Sequence, residues 1–357
     1  MSHNETEYEK LLRGLALQEK SKLQQLREKN IEIEEAIIKR NIENDRNHLQ
    51  IVNFSINPFY QQSFLHRETG YIFVRVEPFY GLQLKDFDSA IYNKDSKVLI
   101  LVECKSSVSD AESELEDILK KIEIAEENHK KLEDIIGAEI AAKEYVLCSD
   151  ASIIHKFEPA VIKRDSPLCL WSAELARGRL FLKKLKDDAK SEMKSGRLHT
   201  DQKLTQLLLD IVTLETKSVP VVAFLPSSHP CAILTEVCSL LQYHLEKVST
   251  QTERFRLLDI QRILEGERGL SNLDSNEVLT LAEKIVGWSK EINIIKDETP
   301  TISDEFKKEY SMQRRSIRTI SREIPQKYVQ IKAKKKAEKK AVDELRKEIP
   351  TIERFLK

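Results

Sequence analysis

The sequence predicts an α/β protein: a mixed sheet flanked by helices, preceded by a helical arm and followed by a largely helical region. Three observations carry this. Glycine (9) and proline (10) are scarce in 357 residues, whereas sandwiches and barrels need many tight turns. Between residues 71 and 171, short runs of β-branched and aromatic residues alternate with a longer segment of helical periodicity. Elsewhere Leu and Ile recur every three or four residues among Glu and Lys. The AVILMFWYC set makes up 40% of the chain and charged residues 33%. That is too apolar for a disordered chain and too charged for a membrane protein. The length suits two or three domains.

Residues 5–46 contain no proline and only Gly14. Leu12, Leu15, Leu23, Leu26, Ile33 and Ile37 step mostly by three, four or seven, as an amphipathic helix requires. Glu19 and Asn30 stand where a coiled-coil seam wants apolar groups, so a helical arm packed on its own chain or on a partner fits better than a long parallel zipper. Residues 71–77 (YIFVRVE) read as a strand, 78–81 (PFYG) as a turn and 85–92 (KDFDSAIY) as a second strand. After the polar turn 93–97, the wholly apolar 98–102 (VLILV) has the pattern of a central strand buried on both faces. Ser109-Asp110 offers a cap for a helix reaching about Gly137. Residues 145–148 and 168–171 are two more short strands. The resulting order is helix, three consecutive strands, helix, strand, strand.

From Thr200 on the chain reads as mostly helical. Helices are expected at 201–216, 231–247, 254–264 and 275–286, with possible strands at 219–225 and 291–295. Two helices followed by a short strand resemble a winged-helix module, a pattern that many helical domains share. The expected divisions are an arm at 1–46, an α/β core at 47–190, a mainly helical domain at 200–300 with a winged helix as one reading of it, and a basic helical tail at 301–357.

Charge is segregated along the chain. The total is 58 Lys+Arg against 59 Asp+Glu, yet residues 306–340 hold thirteen Lys+Arg and three Glu, a net of +10. The remainder therefore carries -11. Such segregation is the footprint of a polyanion contact, though a solvated Lys-rich helix has the same composition.

Other features are exclusions. The five cysteines (104, 148, 169, 231, 238) include no C-x-x-C spacing, so neither a disulfide framework nor structural zinc is indicated. From the polar start (MSHNETEYEKLL) no signal peptide is expected, and the longest apolar run, 98–102, is far short of a membrane span. A reduced, cytoplasmic, soluble protein without membrane contact is expected. No Gly-rich phosphate loop is present, so no nucleotide cofactor is expected. His229-Pro-Cys231 with Cys238, His66 and His155 read as ordinary loop and structural residues, and Trp171 and Trp288 as core.

The informative segment joins Asp88-Ser-Ala-Ile to Val98-Leu-Ile-Leu-Val-Glu103-Cys104-Lys105. Asp88 lies on one expected strand, Glu103 ends the next, and Lys105, two residues on, points to the same side as Glu103. The triplet (Asp/Glu)-x-Lys occurs eight times in the chain, but only at Glu103 does it follow a five-residue apolar strand, have an Asp on the preceding strand and precede a capped helix. The rival Glu215-Thr-Lys217 is approached by helically spaced residues. This segment resembles the active-site motif of the PD-(D/E)xK nuclease superfamily, the restriction-endonuclease-like fold. The resemblance covers about a third of the chain, from about residue 44 to 149.

The resemblance implies a metal-dependent phosphodiester hydrolase in which Asp88, Glu103 and Lys105 are catalytic. Hydrolysis of a phosphodiester requires charge neutralisation and a hydroxide near neutral pH. Two hard carboxylates, Asp88 and Glu103, can hold Mg2+, for which Mn2+ can substitute, with the Cys104 carbonyl as a further ligand. The Lys105 ammonium can orient the water or stabilise the transition state. Phe87 replaces the proline of the family's name. Some members carry an acidic ligand on the first helix; Glu43, Asp45 and Glu68 are the candidates here. Asp86 shares a face with Asp88 and is either a supporting group or the ligand itself. Ser106 and Ser107 are candidate phosphate contacts.

Two readings follow. The first is a Mg2+-dependent DNA endonuclease, specifically a type II restriction enzyme acting as a homodimer in phage defence. Its DNA grip comes from Lys307, Lys308, Arg314, Arg315, Arg318, Lys334, Lys335 and Lys336. The second is a non-catalytic nucleic-acid-binding or coiled-coil scaffold protein in which the 88–105 pattern is accidental.

Overall fold

A computed structural model describes residues 6–82, 84–183, 185, 198–210, 212–213, 221–248, 254–266, 273–313 and 316–349. The chain opens with α1 (Glu7–Gly14) and a 40-residue helix α2 (Leu17–Ile56), followed by the short α3 (Phe64–Thr69). Three strands then meander: β1 (Tyr71–Val76), β2 (Ser89–Asn93) and β3 (Val98–Lys105). Next come α4 (Ala111–Glu127), α5 (His129–Ile136), β4 (Ala142–Asp150), α6 (Ala151–Lys163), β5 (Cys169–Glu174) and β6 (Arg179–Leu182). They are followed by α7 (Gln202–Leu209), the two-residue β7 (Val212–Thr213), α8 (Pro230–Val248), β8 (Arg254–Phe255), α9 (Leu257–Gly266) and α10 (Ser275–Glu291). The described chain ends with β9 (Ile295–Asp297), β10 (Tyr310–Met312) and α11 (Ile317–Glu348).

The main sheet has the order β1-β2-β3-β4-β5-β6-β7. It is antiparallel from β1 to β3, parallel from β3 to β5 and antiparallel again to β7. The mixed sheet flanked by helices is thus present. Each face of β3 has its own core. Val98, Ile100, Val102 and Cys104 face α2 and the C-terminal helices, while Leu99 and Leu101 face α4 and α6. This two-sided burial is why 98–102 is apolar without alternation.

Several elements differ from expectation. The second strand begins at Ser89, so Asp88 lies one residue before it; its N–H nevertheless continues the ladder to the Val102 carbonyl at 3.0 Å. The helix expected from Asp110 to Gly137 breaks at Asn128, and Gly137, at φ 70, ends its second piece. Asp110 caps it as expected, accepting from Glu112 and Ser113 N–H. α6 was not expected, because Pro159 lies within it; Asp150 caps its start by accepting from Ser152 N–H. β6 and β7 extend the sheet beyond the two strands read after the central helix. Residues 221–225 are not a strand, and 219–220 lie outside the described residues, as do Glu215 and Lys217. The expected strand at 291–295 starts only at Ile295, because α10 continues through Glu291.

The domain boundaries shift accordingly. α2 runs ten residues past 46, and its Ile51, Val52 and Ile56 are buried in the main core, so no boundary falls there. Its N-terminal half pairs antiparallel with α11. The pairing is read from Lys22–Glu348, Arg27–Glu338 (3.1 Å) and Lys340–Glu34. Buried Ala333, Ala337 and Ala341, four residues apart, present little bulk at this contact and let the two helices approach closely. Asn30, the misfit in the seam, is buried and donates to Glu344 at 3.3 Å. The tail starting at 301 is not uniform either: residues 310–312 are the middle strand of a small sheet, β8-β10-β9. Among the described residues, no helix is long and apolar enough to cross a membrane. All five cysteines are free and buried.

Candidate active site

Asp88 and Glu103 meet because β2 and β3 form a hairpin in which Ser89 pairs with Val102. Beyond this pair β2 gives way to the 77–88 loop, leaving the end of β3 open to side chains. The Cys104 N–H donates to Asp88 Oδ2 at 2.5 Å. In an extended strand the N–H and C=O of one residue lie along the same edge. The Cys104 carbonyl therefore lies on the Asp88 side, as a metal-ligating carbonyl must. Cys104's own side chain is buried in the opposite layer, its Sγ 3.6 Å from Ser55 Oγ. It is not a ligand, and burial raises the thiol pKa far from the thiolate range.

Both carboxylates are buried, Glu103 more than Asp88, with 2% and 9% of their surface exposed. Glu103 Oε1 lies 3.0 Å from Lys105 Nζ, and Oε2 accepts from Lys121 Nζ, on α4, at 2.6 Å. Asp88 Oδ1 lies 3.0 Å from His48 Nε2, on α2. Burial pushes the Glu103 carboxyl above its ordinary pKa, and the charge of Asp88 adds to this, outweighing the two lysines. Burial acts on Asp88 in the same direction, but His48, Lys121 and the Cys104 N–H outweigh it and lower its pKa. Burial disfavours charge on Lys105, yet Glu103 and Asp88 reverse this and hold its ammonium firmly protonated.

Two open hollows flank this cluster. One, about 680 Å3, is bordered by Glu77, Asp86, Asp88, Lys121 and the N-terminal half of α10. The other, about 580 Å3, contains Asn44, Asp45, His48, Lys105, Ser106 and His229. Ser227 lines both. Its loop is fastened by two carboxylates: Ser227 donates through N–H and Oγ to Glu77, and His229 N–H donates to Asp45 Oδ1 at 2.9 Å. Burial raises Glu77 to about 7; the Ser227 hydroxyl opposes this and the charge of Asp88 reinforces it.

The residues expected at the site are therefore brought together: Asp88, Glu103, Lys105 and the Cys104 main chain, with Ser106 and Ser107 along the second hollow. Of the first-helix candidates only Asp45 borders a hollow. Glu43 is exposed beside Arg46, and Glu68 pairs with Lys203 at 3.0 Å. Asp86 accepts from Phe79 N–H at 2.7 Å and so holds the loop before Asp88. His48, Lys121 and Glu77 were missed by sequence reasoning. His48 continues the 41-44-48 spacing of polar residues on one helix face, a signal in principle; Lys121 is one lysine among many on α4.

The basic candidates are dispersed. Lys307 and Lys308 lie in the loop between β9 and β10, Lys307 beside Asp304 at 3.3 Å. Arg314 and Arg315 are outside the described residues, and Arg318 is exposed at the start of α11. Lys335 is paired with Glu291 at 3.0 Å and Lys336 with Glu34 at 3.8 Å, whereas Lys334 and Lys339 have no carboxylate partner among the described residues.

Among the described residues no cluster of three or more His, Cys, Asp and Glu side chains is arranged to hold a metal ion. The donor set at β3 nevertheless fits a hard divalent cation. It provides two buried carboxylates that repel one another, with a main-chain carbonyl on the same edge, which are oxygen ligands of the kind Mg2+ takes alongside water and phosphate. Comparison with family models, curated proteins and solved structures gives no match.

Proposed function

We propose that this chain is a Mg2+-dependent endonuclease of the PD-(D/E)xK type that hydrolyses DNA phosphodiester bonds in restriction or phage defence. The observation that carries the reading is the convergence of Asp88, Glu103 and Lys105 at the end of one hairpin, between two open hollows. Asp88, Glu103 and the Cys104 carbonyl would hold Mg2+, with Mn2+ able to substitute. Bound there, the ion supplies charge neutralisation at the scissile phosphate and acidifies a water.

The chain's own residues do the rest. Lys105 keeps its proton and stands beside Glu103, where it orients the attacking water and stabilises charge developing on the phosphate oxygens. Lys121 holds the other oxygen of Glu103 and fixes the carboxylate. His48 does the same for Asp88 from the opposite layer. Exposed Lys334 and Lys339 on α11 supply sequence-independent phosphate contacts. One such site cuts one strand, so a homodimer is the simplest device for a double-strand break.

The test is cleavage of supercoiled plasmid with Mg2+ or EDTA, by wild type and Glu103→Gln. Metal-dependent nicking that the substitution abolishes is the expected result. No cleavage with Mg2+ or Mn2+, or full activity in the variant, would sink the reading. The second reading, a non-catalytic nucleic-acid-binding or scaffold protein, is favoured by the long α2–α11 pair, and it expects DNA binding without cleavage.

A further inference from the structure

The segment from α8 to β10 has an internal plan that its helical sequence hides. Its elements run helix α8, strand β8, helices α9 and α10, strands β9 and β10. The three strands form an antiparallel sheet in which the last lies between the other two, β8-β10-β9. The β9–β10 connection, residues 298–309, is a long loop carrying Lys307 and Lys308, and Glu309 at its end pairs with Arg254 and Arg256. Helix, strand, two helices and a hairpin with this strand order make a winged helix, in which α10 occupies the position of the helix that enters a DNA groove.

α10 divides cleanly into two faces. Val278, Leu281, Ala282, Ile285, Val286 and Ser289 are buried. On the other side Asn276, Thr280, Glu283, Lys284 and Gly287 are exposed. Three of these, Asn276, Thr280 and Lys284, border the hollow that also contains Asp88 and Lys121. α10 is held to the catalytic sheet at its first turn: Glu277 lies 3.6 Å from buried Arg75 of β1. Gly81, at φ 89, makes room for it, since a Cβ there would come within 2.7 Å of Glu277 Oε1. The exposed stripe is nearly neutral and made of hydrogen-bonding side chains. That composition suits contact with base edges, while phosphate contact is better served by the lysines of α11.

We infer that α10 is the sequence-reading element, its Asn276, Thr280 and Lys284 contacting base edges in the major groove of duplex DNA whose backbone passes Asp88 and Glu103. The inference rests on the proposed nuclease site for the DNA path, but its readout does not. A random-sequence duplex library is selected for binding in EDTA by wild type and by Asn276→Ala, Thr280→Ala and Lys284→Gln; bound sequences are read out, and affinity for the enriched duplex is measured. Melting temperatures of the three variants confirm that these exposed substitutions leave the fold intact.

Wild type is expected to enrich a motif, and each variant to lose roughly tenfold or more in discrimination at one or two of its positions, the scale of a lost base contact. Affinity for unrelated duplex should be nearly unchanged. A wild type that enriches nothing, or variants that enrich the same motif with the same affinity, overturns the inference. If the motif depends on α10 but the wild type never cuts with Mg2+ or Mn2+, the nuclease reading fails and α10 remains the reader.

Discussion

His48 Nε2 lies 3.0 Å from Asp88 Oδ1, so α2 touches the start of the β2–β3 hairpin. The contact links a residue of α2 to the loop end that precedes β2. It fixes the orientation of a carboxylate whose other oxygen is taken by the Cys104 N–H. Removing a side chain that orients a ligand typically costs 10–100-fold in metal affinity or activity. His48→Ala is expected to lower Mg2+-dependent cleavage by about that factor, to raise the Mg2+ concentration for half-maximal rate, and to lower the melting temperature in the metal-free protein, since buried Asp88 loses its partner. A variant that cuts with wild-type metal dependence would mean that the contact is only packing.

Lys105 is expected to matter for chemistry and not for grip. Its ammonium touches Glu103, its pKa is held high by Glu103 and Asp88 against burial, and it borders an open hollow. Lys105→Ala should retain DNA affinity and lose cleavage by roughly 10² or more, the scale of removing one transition-state-stabilising donor. Single-turnover cleavage at saturating protein separates the two quantities. A wild-type rate constant in the variant would remove Lys105 from the mechanism.

Glu77 makes stability depend on pH. Burial raises its folded-state pKa to about 7, while the unfolded chain titrates near the ordinary value of 4.5. A carboxyl whose folded pKa is raised favours folding in its protonated form. Its contribution is present below the unfolded pKa and is lost as pH rises through about 7. Glu77→Gln removes that titration and leaves an oxygen to accept from Ser227. The variant should be more stable than wild type near pH 8 by on the order of 1–3 kcal/mol, the difference vanishing near pH 4. Urea midpoints at the two pH values decide this, and equal midpoints near pH 8 would refute it.

A second network acts in the opposite direction. Trp171 Nε1–H donates to His199 Nε2 at 2.9 Å, so Nδ1 carries the proton given to Glu144 at 2.6 Å. Thr200 N–H donates to the other Glu144 oxygen at 2.7 Å. Burial alone would raise the pKa of Glu144, but His199 and Thr200 together lower it. Its stabilisation is therefore complete above the unfolded pKa and is lost as pH falls through the lowered folded value. His199→Ala leaves the Trp171 donor and one Glu144 oxygen without partners in the core. It is expected to cost about 3 kcal/mol at neutral pH and less in acid. Thermal melts across the acid range check both the size and the sign.

The parts of this molecule legible in sequence were those whose pattern is local. The 98–102 run is apolar because both faces of β3 are covered, the turn before β2 is marked by Pro78 and Gly81, and the one after it by the polar residues 93–97. From these came the mixed sheet and the convergence of Asp88, Glu103 and Lys105. What escaped was non-local. His48 reaches Asp88 across 40 positions and Glu77 meets Ser227 across 150. Such pairs leave no spacing to read. α6 was hidden by Pro159, and the strand order of β8, β10 and β9 by strands only two or three residues long. The basic tail was legible as charge but not as structure, since Lys335 and Lys336 are paired with carboxylates that come from Glu291 and Glu34.

That pairing sharpens the last prediction. A lysine already paired with a carboxylate must break that pair to contact a phosphate, whereas one without a carboxylate partner releases counterions from DNA directly. Lys334 and Lys339 are exposed on α11 and have no carboxylate partner among the described residues. Replacing both with Gln should weaken binding to all duplexes alike and flatten the dependence of log affinity on log salt by about two, about one for each lost contact. Replacing Lys335 and Lys336 should change the slope less and lower thermal stability slightly, since it breaks the contacts to Glu291 and buried Glu34. Fluorescence anisotropy over a salt series gives the slopes, and differential scanning calorimetry gives the stabilities. Should the Lys334/Lys339 pair leave the slope untouched, the lysine face of α11 is only a solvated surface and the phosphate grip lies elsewhere. The Lys105 variant then still reports independently on the chemistry at β3.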